Sequence, residues 1–173
     1  MLVGPYVDTL LLLLVVAAAI NDLVSRRIPN LLLLAGLAAA LVSHAMSPEP
    51  GAALLGCLGG AVLGLLLFLP FYLLRSMAAG DVKMMATVGA FTGPAVAFHI
   101  AIIAWCAGGV MALAIIFFRG RLRLALSNLC GIMQRVMLRS PPGSQAVRES
   151  AGSMPYGVAI AAGTIYVLMS AYA

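Results

Sequence analysis

Residues 52–83 read AALLGCLGGAVLGLLLFLPFYLLRSMAAGDVK. No charged residue occurs from Ala52 to Leu74, a run longer than the roughly 20 residues that carry a helix across a bilayer. The run stops at Arg75 and Ser76, and an acid, Asp81, opens the next apolar stretch. The rest of the chain repeats this pattern. Of 173 residues, 64% are hydrophobic and 9% charged, against about 45–50% and about 25% in soluble domains. That balance excludes a soluble domain, a disordered chain and a nucleic-acid binder. At about 20 residues per span it fills roughly five or six membrane helices.

Turn residues and charges divide the chain into six expected spans: residues 7–20, 29–42, 52–74, a short one from Asp81 to the Thr92-Gly93-Pro94 break, 95–118 and 155–172. Pro29 suits the first turn of the second span, where its missing N–H costs nothing. All ten Lys and Arg residues fall on one side of this alternation: Arg26 and Arg27; Arg75 and Lys83; and Arg119, Arg121, Arg123, Arg135, Arg139 and Arg148. The positive-inside rule makes that side cytoplasmic. The expected fold is all-α: a polytopic membrane protein with six transmembrane helices, both termini outside, forming one domain over residues 1–173. Residues 119–153 read as a basic cytoplasmic loop. In it Leu122, Leu126, Leu129, Met133 and Val136 recur at helical spacing, as in an amphipathic helix lying on the inner membrane face; a merely solvated loop is the alternative. The basic-free start, Met1 to Asp8, argues against a cleaved signal.

Several features read as packing. Ala52, Gly56, Gly60 and Gly64 form a small-residue stripe that lets helices approach closely. Gly108-Gly109 reads as a similar contact or a flexible point. Cys57, Cys106 and Cys130 form no CxxC pair and read as small buried hydrophobes. His44 falls in the outer polar turn around Ser43–Gly51.

Five acids need an account. Asp8, Glu49 and Glu149 read as solvated. Asp22 ends the first span and Asp81 begins the fourth, so both lie at cytoplasmic helix ends at similar depth. Each alone could pair with Arg26 or Lys83 at the lipid headgroups. Together they suggest a dyad sharing one proton. One carboxylate takes a proton from water, which attacks a peptide carbonyl; the protonated partner donates to the carbonyl oxygen or the leaving amine. This chemistry needs no metal and no cofactor, and the sequence offers no credible metal cluster. Gly80 gives the backbone freedom beside Asp81 for a peptide strand to approach.

Three motifs then fall into place. Asp22-Leu-Val-Ser-Arg26-Arg27-Ile28-Pro29-Asn30 resembles the first aspartate motif of the type IV prepilin peptidases. Ala78-Ala79-Gly80-Asp81-Val82-Lys83 resembles their GxGD motif, and Met154-Pro155-Tyr156-Gly157 their Pro-Tyr-Gly signature. Order, spacing and layout are similar over essentially the whole chain. The length resembles the small, peptidase-only branch associated with tight-adherence (Flp) pili. Ala78 stands where the motif has its first Gly, and Val158 where a Pro often follows.

The resemblance implies an aspartyl membrane protease of the bacterial inner membrane. It would cut the basic leader of a prepilin or pseudopilin at the cytoplasmic face, without N-methyltransferase activity. Asp22 and Asp81 would be catalytic, with Gly80, Ala78, Pro29 and Asn30 shaping the site. Lys83, Arg26, Arg27, Pro155, Tyr156 and Gly157 would contact substrate or lipid. Partners would be the prepilin, anionic lipids and pilus assembly machinery. A non-enzymatic subunit of a pilus machine is the alternative, and a small proton-coupled transporter a more distant one.

Overall fold

The computed structural model describes residues 5–74, 76–118 and 155–172, and every regular element among them is helical. They are α1 (Pro5–Ser25), α2 (Asn30–Ala45), α3 (Pro50–Leu73), α4 (Ala79–Phe118) and α5 (Tyr156–Tyr172). Tyr6–Ser25, Pro50–Leu73 and Ala79–Ile115 are long and apolar enough to cross a membrane; Asn30–Ala45 and Tyr156–Ala171 are apolar but shorter. The expected interfacial helix at 119–153 lies outside the described residues.

Helix ends depart from the expected ones for identifiable reasons. α1 runs on through Asn21 and Asp22 because polar side chains there bond back along the helix. Asn21 Nδ2 donates to the Ala17 carbonyl at 2.9 Å and Ser25 Oγ to that of Asn21 at 2.8 Å. The helix stops at Arg26, whose φ of 54° is left-handed and whose N–H reaches the Asp22 carbonyl at 3.0 Å, a C-terminal cap more usual for glycine. Pro29 is the N-cap of α2 rather than part of its first turn. Its extended backbone, ψ 126°, sets the new direction of the chain.

The fourth and fifth expected spans form one helix by hydrogen bonding, interrupted at Gly93 (φ 75°, ψ 172°). A straight helix would separate Asp81 from Ala104 by about 35 Å. Tyr156 nevertheless lies beside both: its charge environment includes Asp81, and its hydroxyl donates to the Ala104 carbonyl at 3.3 Å. α4 therefore doubles back at Gly93-Pro94, with residues 79–92 and 94–108 as opposed arms. Only glycine adopts such a φ without strain, and Pro94 suits the start of the returning arm.

The first arm is pressed onto α3 by the glycine stripe. A Cβ on Gly60 would collide with the Gly89 carbonyl, and one on Gly64 with that of Met85. These contacts are within the chain. Gly108 is buried against the Tyr156 ring and Gly163 against the backbone of Ile100 and Ala104, so α5 is seated on the returning arm. Leu11, Val15, Ala18, Phe68, Met84, Met85, Val88, Ile100 and Ile160 fill the core.

The chain divides into two units, residues 1–108 with 155–173, and residues 109–154. Of the second, the described part is the last turns of α4. Three expectations are corrected. Asp8 is buried, at 7% exposure, not solvated, and His44, at 5%, is buried in the last turn of α2 and not in a polar turn. Cys106 is exposed, on the outward side of the returning arm, whereas Cys57 is buried as expected.

Gly60→Val, which drives a branched side chain into the Gly89 backbone, is expected to lower stability by about 1–3 kcal/mol. Gly56→Ala, where an added Cβ meets nothing within 4 Å, is expected to leave it unchanged. Thermal unfolding of the purified chain in detergent measures both.

Candidate active site

Asp22 lies in the last turns of α1 and is 6% exposed. Its Oδ2 accepts a hydrogen bond from the Gly157 backbone N–H at 2.8 Å. Gly157 is the second residue of α5, where backbone N–H groups lack helical partners. The Asp22 carboxylate thus caps α5 from another helix, at the positive end of that helix's dipole. The approach leaves no room for a side chain at position 157: an added Cβ would stand 2.9 Å from Asp22 Oδ2 and 3.2 Å from its Cβ. The Arg26 charge is a further neighbour of this carboxylate.

Asp81 is in the first turn of α4 and 4% exposed. Its N–H donates to the Ala78 carbonyl at 3.2 Å, and the Ala78 backbone also lies beside its carboxylate. The acid stands three residues past the cap, the position from which a carboxylate can reach back to it. These contacts use only the backbone of Ala78, and Ala78 has no positive φ. A methyl in place of the motif's first glycine is therefore accommodated. Asp22 and Asp81 are near enough for direct charge repulsion.

Gly80 serves differently from expectation. The space beside it is occupied by Ile28, whose Cβ would stand 3.4 Å from a Cβ at position 80. The connection after α1 is thereby docked against the start of α4, holding the two acid-bearing segments together. Lys83 Nζ donates to Asn30 Oδ1 at 3.1 Å, a second tie between them on the exposed side. Arg26, Arg27 and Pro29 are exposed on the connection itself. Pro155 and Gly157 are buried and Tyr156 is half-buried, so this signature faces the site and the bundle, not lipid. Phe68 stands edge-on to Tyr156, ring centres 6.0 Å apart, and stacks with Trp105 at 5.9 Å. These aromatics wall the site on the side of α3 and the returning arm.

The structure brings together Asp22, Asp81, Gly80, Tyr156 and Gly157. Ile28, Ala104 and Gly108 are contributors that sequence reading did not single out for the site. The Gly108-Gly109 pair was the available signal for one of them. Among the described residues no three His, Cys, Asp or Glu side chains gather as a metal set. Two buried carboxyls in mutual repulsion can share a proton, so one can act as base while the other acts as acid.

The described residues are all helical and apolar, with three helices long enough to cross a membrane and two buried aspartates near each other: the features of a membrane protein. The type IV leader peptidase family matches residues 9–113, well over half of the chain, and the chain belongs to that family. Family membership implies an aspartic peptidase acting on prepilin-type leaders. The match includes Asp22 and Asp81 but ends before Pro155, so the contact of Gly157 with Asp22 is a contribution of the fold. No curated protein and no solved structure matches the chain.

Gly157→Ala pushes a methyl against the Asp22 carboxylate. Leader cleavage by this variant is expected to fall about tenfold to a hundredfold. Gly51→Ala, which meets nothing within 4 Å, is expected to cleave at the wild-type rate in the same assay.

Proposed function

We propose that Asp22 and Asp81 are the catalytic dyad of a prepilin leader peptidase. The observation that carries this reading is the burial of both carboxyls, delivered by two separate helices to within reach of each other's charge. One carboxylate takes a proton from a water held between them. The resulting hydroxide attacks the scissile carbonyl, whose oxygen is protonated by the other acid. Collapse of the tetrahedral intermediate moves a proton to the leaving amine and restores the shared proton. Gly157 holds Asp22 in place through its N–H, and the Ala78 backbone holds Asp81.

The one-sided distribution of Lys and Arg supports a six-span topology with the dyad at the cytoplasmic face of a bacterial inner membrane. The doubled-back α4 supplies the sixth helical segment that this topology requires. Arg26, Arg27 and Lys83 ring the dyad on its exposed side, suited to anionic lipid headgroups or substrate. The substrate is the basic leader of a prepilin or pseudopilin of the Flp type, cut just before its hydrophobic helix, with no methylation step. Pilus assembly machinery would receive the product.

Asp22→Asn and Asp81→Asn are each expected to lower processing of a co-expressed prepilin at least about a hundredfold, with the variant accumulating in membranes as the wild type does. The leader-bearing to mature pilin ratio on immunoblots of matched membranes measures this. Undiminished processing by either variant would favour a non-enzymatic assembly role.

A further inference from the structure

α2 grips the first arm of α4 at both of its ends. At its first residue, Asn30 accepts the hydrogen bond from Lys83. In its last turn, His44 Nε2 stands 3.0 Å from the Ala90 carbonyl oxygen. Between them, Gly36 is pressed so close to the arm that an added Cβ would stand 3.1 Å from Thr87 Cγ2.

The His44 contact answers a specific need of the fold. The arm ends at Thr92, because Gly93 leaves the helix. The last four carbonyls of a helix have no helical N–H to accept from, and the residue four beyond Ala90 is Pro94, which has none. Within a membrane bundle such groups must find other donors. A carbonyl only accepts, so the ring nitrogen facing Ala90 carries a proton and donates it. His44 is 5% exposed, and an imidazole buried this deeply in an apolar bundle is costly without a partner.

We propose that His44 is a positioning residue for the peptidase, acting through the Ala90 carbonyl on the arm that carries Asp81. The arm is one helix held on α3 near its middle by Gly64, at Met85, and near its Ala90 end by Gly60, at Gly89 and Gly93. Gly60 and His44 hold the Ala90 end together; with the contact of Gly64 with Met85 as pivot, a shift at that end moves the Asp81 end the opposite way. His44 thus sets the height and tilt of Asp81 against Asp22 from the far end of the bundle. This rests on the reading of Asp81 as half of the dyad, so the test carries one readout that needs no peptidase activity.

That readout is a disulfide between Ile28→Cys and Gly80→Cys, in a full-length chain with its native cysteines replaced by alanine. The separation of 3.4 Å between their Cβ positions is near disulfide spacing, so bond formation reports docking of the start of α4 on the connection after α1. The second readout is steady-state cleavage of a prepilin-type peptide by the otherwise native chain in lipid vesicles.

His44→Leu fills the space without a donor. It is expected to slow cross-linking and to lower kcat, each about tenfold, with KM within about twofold. His44→Gln keeps an N–H donor and is expected to recover most of both losses. Should His44→Leu not accumulate as folded protein, His44→Met replaces it with the same expected values. Wild-type cross-linking and kcat in the apolar variant would overturn the proposal. So would equal impairment by Leu and Gln, which would make ring volume the cause. Slowed cross-linking in a chain that never cleaves would count against the peptidase reading and leave the positioning role standing.

Discussion

The hydrogen bond from the Gly157 N–H to the Asp22 carboxylate joins the chain's last helix to its first. A charged acceptor against a helix N-terminus is among the stronger contacts available to a backbone donor. In an apolar bundle it has little water to compete with it. Breaking it would leave the N–H buried without a partner and the carboxylate without its backbone donor. Much of the surrounding design follows. Residue 157 must be glycine for the approach to close. Gly108 must be small for Tyr156 to lie flat against the returning arm. The connection after α1 must turn at once, which Arg26 does in a left-handed conformation that most residues avoid.

The second aspartate is held by a different logic. Asp81 stands in the first turn of its own helix, so its local geometry depends on the Ala78 backbone. Where that helix stands relative to Asp22 depends on contacts farther away. The glycine stripe of α3, the Ile28 side chain against Gly80 and the polar ties from α2 are all packing or hydrogen-bonding constraints on one short helical arm. Of the two aspartates, one is fixed to the bundle directly and the other stands at the end of a short helical arm.

Much of this was legible in the residues. Hydropathy and one-sided charge gave the helical class, and Gly93-Pro94 marked where α4 reverses. The burial of Asp22 and Asp81 at one end was readable because acids are rare in so apolar a chain. What hydropathy could not reveal were contacts between positions distant in sequence. Gly157 looked like a lipid or substrate contact because nothing local links it to residue 22. Asp8 looked solvated because it falls at the outer end of its span, and His44 looked like part of a polar turn because Ser43, Ser47 and two prolines lie around it. Helix packing overrode both signals. Cys106 shows the converse: an apolar neighbourhood in sequence did not mean an inward-facing position.

The reversal at Gly93 sets the depth at which this site works. An arm of residues 79–92 is about 21 Å long at 1.5 Å per residue, while the hydrocarbon layer of a bilayer is about 30 Å thick. With the turn at one surface, the other end stops short of the opposite one. A span that short is accommodated by thinning of the lipid, by flanking side chains that reach the surface, or by a water-lined recess at the end of the arm. Where the lipid thins or a recess forms, the boundary between water and hydrocarbon is displaced inward at the aspartates. A substrate anchored by its own greasy segment could then present the bond at that segment's edge without being pulled out of the membrane.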